Sequence, residues 1–359
     1  MRLTRRLSRI ATLLLWIATV VLFAPAALIP AYAQEARTLY VGWQGGSREV
    51  LMKEKIFPQF AEKHHVRIEY VAGLSTELLA RLQAQKGKQE LDVVLLDDGP
   101  MYQAASFGLC AKIEPDGILD HMSDVTRMKG IQAQAVGIGM VALGIVYNAK
   151  TFEQKKWPAP TSWRDLENEN FRGREVVMSI SNTLGLGVLI AFAKLEGAGE
   201  SDASPGFKRI VDRVKPNVLA WVPTSGQLSS LFQNGEVDIA AWSNDRANAL
   251  AATGLPIRFV YPKEGAVATV VAACPVSKPE PNPLAQEFIR YLLSPEVQLI
   301  LAEGAQLSPA NIHVVLPDDL SKRLVFGTQD SSKLIEIDWK AVNSKRGEWT
   351  KRWIREVER

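Results

Sequence analysis

Histidine and cysteine are scarce in this chain, four and two among 359 residues. His64 and His65 are adjacent, so they cannot share one helix face as metal ligands. There is no C-x-x-C, which removes the usual redox and structural-zinc readings of cysteine. There is also no G-x-S-x-G elbow, no H-E-x-x-H and no P-loop. Asp97 and Asp98 are neighbours that would point to opposite sides of a strand, so they do not make an acid/base pair. The sequence therefore offers no nucleophile–base constellation and reads as a non-enzyme, with no cofactor and no metal site. It has no internal repeat and no low-complexity segment.

One long apolar stretch is present, over residues 11–29, and it sits between a basic start, MRLTRRLSRI, and Ala31-Tyr32-Ala33. That order is the pattern of a secretory signal peptide over residues 1–33, by the general secretory route or, given Thr4-Arg5-Arg6, the twin-arginine one. Pro25 and Pro30 interrupt the stretch, so it does not read as a retained membrane anchor. Cleavage after Ala33 would leave 326 residues, enough for about two domains. It would also remove four arginines and no acid, taking the formal net charge from +3 to −1. The basic balance belongs to the export signal and gives no reason to expect nucleic acid. The basic residues near the C-terminus interleave with Glu348, Glu356 and Glu358, as on a solvated helix face. In an oxidising compartment a disulfide between Cys110 and Cys274 is open if both face one lobe.

Two further uncharged runs organise the mature chain. Residues 136–147, VGIGMVALGIVY, are longer than an ordinary strand and too short to cross a bilayer. Residues 265–276, GAVATVVAACPV, repeat the character. They read as two crossing strands, the first leaving one lobe and the second returning to it. The expected division is 34–141 as the first part of lobe I, 142–267 as lobe II, and 268–359 as the second part of lobe I with C-terminal helices. Within each lobe, strand and helix signals alternate, which predicts a parallel, doubly wound α/β sheet. The spacing predicts strands near 37–42, 66–71, 91–96, 175–180 and 237–242. Trp349, Trp353, Ile354 and Val357 predict a core-facing stripe on a final docking helix.

In doubly wound sheets, ligands sit beyond the carboxyl ends of the strands. That rule selects Trp43, Gly45 and Ser47 after the first strand, and Asp97, Asp98 and Tyr102 after the third. In the second lobe it selects Ser181, Asn182 and Thr183, then Trp242 and Asn244. Helix starts here offer free N–H groups and a positive dipole end. The aromatics could stack on a flat solute or cover an ammonium group. The acids Asp97, Asp98 and Glu264, beside Arg48 and Arg246, point to a small amine-bearing solute with a polar far end, polyamine-like or zwitterionic.

Several segments carry a resemblance over nearly the whole mature chain and in order: LDVVLLDDGPMYQA with FGLCAKIEP, GIGMVALGIVYNAKTF with PTSWRDLENENFRGR, VDIAAWSNDRA, VYPKEG, and NPLAQEFIRYLLSPEVQ. The chain resembles the periplasmic solute-binding subunits of ABC importers, and within them the spermidine/putrescine-binding branch and its iron- and thiamine-binding cousins. The resemblance implies a type II periplasmic-binding fold of two lobes hinged on two crossing strands. It implies a monomeric periplasmic protein that closes on a small-molecule solute and delivers it to an inner-membrane permease, without itself inserting in the membrane. The aromatic and tryptophan positions of polyamine binders fall on Trp43 and Trp242. Their later tryptophan and amine-binding aspartate fall on Thr269 and Val271, and their second-lobe acids on Ser181-Asn182-Thr183. The amine anchors of that lobe are thus replaced, and the adjacent tyrosines of iron binders are missing. A phosphonate, thiamine-like or iron ligand, or a role as a periplasmic sensor, are the alternative readings.

Overall fold

The computed structural model describes residues 37–114, 117–324 and 334–359. The signal-peptide reading falls on residues outside these. The strands in chain order are β1 (Thr38–Trp43), β2 (Arg67–Ala72), β3 (Val93–Asp97), β4 (Val136–Asn148), β5 (Glu175–Met178), β6 (Val218–Val222), β7 (Ile239–Ser243), β8 (Ile257–Val260) and β9 (Ala266–Pro275). They lie in the order β2-β1-β3-β9-β4-β7-β5-β6, with β8 also on β4. The pairs among β1, β2 and β3 are parallel, as are β5 with β6 and with β7. The joints β3–β9, β9–β4 and β4–β7 are antiparallel.

The two uncharged runs are therefore adjacent strands at the centre of the sheet. β4 pairs with β9 over Val136–Leu143, then runs on to pair with β7 over Leu143–Tyr147. Every residue of β9 is buried, and so is every residue of β4 before Asn148. That explains the absence of charge along both, because a strand covered on both faces cannot alternate. Gly144 is needed for space: a Cβ there would stand 2.5 Å from the Val260 carbonyl oxygen of β8.

Each half of the sheet has its own core. Trp43, Phe57, Phe60 and Phe288 fill one face of the β2-β1-β3 half. Leu78, Leu82, Leu96 and Met101 fill the other, next to the disulfide Cys110–Cys274, whose Cα atoms are 5.7 Å apart. The β7-β5-β6 half packs around Phe192, Phe207 and Trp242. The first helix begins at Ser47, passes through a π-turn at Met52–Ile56 and resumes as Phe57–His64. Pro58 stands in the first turn after that irregularity, where its missing N–H breaks no helix bond.

The C-terminal helix Trp339–Glu356 touches both halves. Its first turns lie on the Asp98–Ser106 helix, where Asn343 Nδ2 donates to the Gly99 carbonyl at 2.9 Å. Its last turns join the other core, with Trp353 edge-on to Phe207 and Trp221. Trp349, Trp353 and Val357 are buried at intervals of four, as the stripe required; Ile354 is 46% exposed, because it falls on the next column of the helix. Among the described residues no helix is long and apolar enough to cross a membrane.

Candidate functional site

Four strands run in from opposite directions, two from each half of the sheet, and end close together along β4, where each hands over to a helix. Trp43 leads through Gln44–Gly46 to Ser47, and Asp97 leads directly to Asp98–Ser106. Met178 leads through residues 179–182 to Thr183–Leu195, and Ser243 leads directly to Asn244–Ala251. The first two come from one half of the sheet and the last two from the other. Gly46 takes φ 75°, a left-handed turn that costs glycine little, and it aims the first helix back over the strand ends.

A cavity of about 480 Å³ opens between these loops. Gln44, Gly45 and Ser47 line it from one half, and Asn182, Thr224, Ser225 and Arg246 from the other. Its size is that of a small-molecule pocket. Two of the helix starts around it are already capped by their own side chains. Asn182 Oδ1 accepts from Leu184 N at 3.0 Å, and Thr224 Oγ1 accepts from Gln227 N at 3.3 Å. A larger hollow, about 890 Å³, lies beside the C-terminal helix around Tyr102, Phe107 and Trp339, away from the strand ends.

Behind the cavity, charged groups of both halves interlock. Arg48 Nη1 donates to Gln44 Oε1 at 3.0 Å, and Nη2 to Asp245 Oδ2 at 2.9 Å. Its guanidinium lies 5.0 Å from the Trp43 ring centre. Arg246 donates to Ser47 Oγ and to Gln44 Oε1, each at 3.3 Å. Gln44 Nε2 reaches Asp97 Oδ1 at 3.4 Å, and the Asp97 N–H donates to Ser75 Oγ at 3.0 Å. Burial pushes the Asp97 carboxyl up from its ordinary pKa, against the pull of Arg48, Ser75 and Thr183. Burial and the neighbouring Arg48 lower the pKa of Arg246. The Thr183 hydroxyl, for all its nearness to Asp97, forms no hydrogen bond of normal geometry.

The residues selected from the sequence separate into four groups. Gly45, Ser47 and Asn182 line the cavity. Asp97, Thr183 and Asn244 are buried behind it; Asn244 Oδ1 accepts from Ala142 N of β4 at 2.9 Å. Ser181 is exposed at the rim, its hydroxyl donating to Ser179 Oγ.

The rest are used elsewhere. Trp43 and Trp242 are fully buried in different cores, so neither is open to stack on a solute or cover an ammonium group as the sequence suggested. Trp242 donates to Ser225 Oγ at 3.2 Å and supports the cavity wall indirectly. Asp98 is occupied by the backbone: Oδ1 accepts from Gly99 N at 3.0 Å and Oδ2 from Val270 N at 3.1 Å. Thr269 is buried in the β9–β4 ladder opposite Val141. Glu264 accepts from Ser162 Oγ and from Trp163 N, pinning the turn at Trp163–Glu167. The Tyr102 hydroxyl donates to the Lys129 carbonyl at 2.7 Å, beside the larger hollow.

Sequence reasoning did not select Gln44, Asp245 or Arg346. The first two adjoin selected residues. Arg346 lies on the C-terminal helix, where no strand-end rule looks. Its two terminal nitrogens are buried without a hydrogen-bond partner, and Asp97 and Asp98 act on it electrostatically.

Comparison with known proteins agrees with this architecture. Residues 55–325 match the bacterial extracellular solute-binding protein family. The chain belongs to that family. This solute-binding protein is 26% identical over 306 residues to a thiamine-binding periplasmic protein of Brucella melitensis, spanning 83% of the present chain and 86% of that one. It is 24% identical over 214 residues to the spermidine/putrescine-binding periplasmic protein of Escherichia coli, spanning 59% of the chain and 56% of that relative's length. Among solved structures, an ABC transporter substrate-binding protein from Bradyrhizobium japonicum superposes with TM-score 0.75 at 21% identity, covering 89% of this chain and 99% of the other. The periplasmic binding protein AfuA from Actinobacillus pleuropneumoniae, with fructose-6-phosphate bound, gives 0.74 at 18% identity, covering 90% and 98%. The fold is that of the type II periplasmic binding proteins.

Proposed function

We propose that this solute-binding protein is the periplasmic capture subunit of an ABC importer, taking up a small polar solute and handing it to an inner-membrane permease. Residues 34–141 with 268–359, and residues 142–267, act as two lobes that close around the solute. The observation that carries this reading is the cavity lined by both halves of the sheet, with Arg48 and Arg246 reaching across to close its back. A solute touching both lobes at once favours the closed state over the open one. The relatives named for spermidine/putrescine and thiamine, and the neighbour holding a phosphorylated sugar, support capture of a small polar molecule without selecting one.

The solute carries an amine together with a second polar end. Asp97 is the acid left near the cavity: both oxygens of Asp98 accept backbone N–H groups, Glu264 holds a turn, and Asp245 is paired with Arg48 and Arg246. One buried acid fits a single ammonium group better than a long bare polyamine with cations at both ends. Native mass spectrometry of protein purified without added ligand identifies the solute. Small-angle scattering then tests closure: the particle should compact, and the thermal midpoint should rise, when that solute saturates. A bound solute that leaves the particle's dimensions unchanged would rule out hinge closure.

A further inference from the structure

Resting on the reading of the cleft as the solute site, the geometry points to an oxyanion group, a carboxylate or a phosphate, as the solute's second end, held by Arg346 of the C-terminal helix together with Arg48. Three observations carry this.

The first is the placement of Arg346. Trp339, Asn343 and Arg346 fall at i, i+4 and i+7, one face of the helix. A Cβ on Gly99 would stand 2.7 Å from the Trp339 ring, and Asn343 donates to the Gly99 carbonyl. That face therefore looks at the end of β3, where Asp97 and Asp98 stand.

The second is the kind of polar atom left unpaired. Arg346 Nη1 and Nη2, Arg48 Nε, the Thr183 hydroxyl and Asn244 Nδ2 are all buried without a partner, and all can donate. Against these five stand two unpaired acceptors nearby, Asp245 Oδ1 and Asn343 Oδ1. Buried donors are costly to leave unmade, so a guest that fits must bring acceptors. A polyamine brings only donors and would leave every one of these groups unsatisfied. A carboxylate or phosphate brings several acceptor lone pairs and suits the fork of a guanidinium.

The third is charge. Arg48 and Arg246 stand at the strand ends and already share Asp245, and Asp97 attracts both Arg48 and Arg346. Arg346 has no ion-pair oxygen at hydrogen-bonding distance. Its guanidinium is the cation of the site with its terminal donors still to be used.

The test titrates putrescine, γ-aminobutyrate and inorganic phosphate at up to millimolar concentration, following tryptophan fluorescence and the thermal midpoint. At least one of the two oxyanion probes should bind, γ-aminobutyrate marking a carboxylate site and phosphate a phosphate site. Arg346→Gln should weaken that binding about 10- to 100-fold, the range for losing a hydrogen bond to a charged group. Arg346→Lys, which keeps the charge without the fork, should also weaken it. Lys345→Gln, which removes the adjacent exposed charge, should leave it unchanged. Circular dichroism on each variant checks that the fold is retained. Response to putrescine alone, response to none of the three, or oxyanion affinity retained in both Arg346 variants would overturn the assignment. Putrescine binding with compaction would leave solute capture standing while removing the oxyanion end. A probe that binds without compaction would instead count against capture by closure.

Discussion

Arg48 donates from Nη2 to Asp245 Oδ2 at 2.9 Å, joining the helix after β1 to the helix after β7 across 197 residues of sequence. Both side chains are nearly inaccessible, at 5% and 3% exposure. Removing one partner of a buried pair strands the other charge, whereas replacing both with apolar groups is often close to neutral. Asp245→Asn should therefore lower the unfolding free energy by about 3 kcal/mol. The double variant Arg48→Met with Asp245→Leu should lose less than that. Urea unfolding of wild type, both single variants and the double variant gives the comparison. Additive losses would show that the two side chains do not act as a pair.

Asp98 tests how a structural acid differs from a binding one. Burial pushes its pKa up from 3.8 to about 7, against the pull of the Val270 and Gly99 N–H groups. Between those values the folded protein holds a proton that the unfolded chain has released. The stability from this group is complete below about pH 4 and is lost as pH rises towards about pH 7. Asp98→Asn should flatten the pH dependence of the unfolding free energy over that window. It should also cost about 1–3 kcal/mol at low pH, since its amide cannot accept both backbone N–H groups. Parallel pH profiles for wild type and variant would contradict the expected titration.

The disulfide closes 164 residues of chain. Cross-links over loops of this length restrict the unfolded state most, and native bridges typically contribute about 2–5 kcal/mol. Reduction, or the variant Cys110→Ser with Cys274→Ser, should lower the denaturant midpoint by a corresponding amount. Both sulfurs lie within the first core, so solute affinity measured by calorimetry should stay within about twofold, since mutations away from a site act chiefly on stability.

Two glycines on either side of the C-terminal helix contact should respond in opposite ways. A Cβ on Gly99 would stand 2.7 Å from the Trp339 ring, so Gly99→Ala must push the helix away, at about 1–3 kcal/mol. Gly347 lies inside the helix with open space where its Cβ would be. Gly347→Ala should stabilise by about 0.5–1 kcal/mol through the unfolded state. Thermal unfolding of both variants decides the matter, and a stabilising Gly99→Ala would mean the helix contact is loose in solution.

The crossing strands were legible because a strand buried on both faces must be apolar at every position, and few other elements show that over twelve residues. The strand ends were legible for the same reason, since each apolar run stops at a polar turn. What those turns do was less so. Asp98 and Glu264 look like binding acids in sequence, yet each serves a backbone N–H nearby in space, a use that short polar side chains share with ligand contacts. Trp43 and Trp242 sit at strand ends but turn into the cores, because an indole buries more apolar area there than in a wet cleft. Arg346 was invisible because its relation to Asp97 exists only once the last helix has folded back. The disulfide was left open by sequence, which carries no Cα separation.

The order of the strands also sets an order of assembly. The strands of the β7-β5-β6 half come from one uninterrupted stretch between the two crossings, and the last turns of the C-terminal helix are added to its core later. The other half needs β1, β2 and β3 from residues 38–97 and β9 from far beyond, with Cys110 waiting for Cys274. Contacts near in sequence form faster than distant ones. The β7-β5-β6 half should thus gain its hydrogen-exchange protection first during refolding. The β3–β9 ladder should gain its protection last. A chain made amino end first would then hold β1 to β3 exposed, edge open, until the residues of β9 follow.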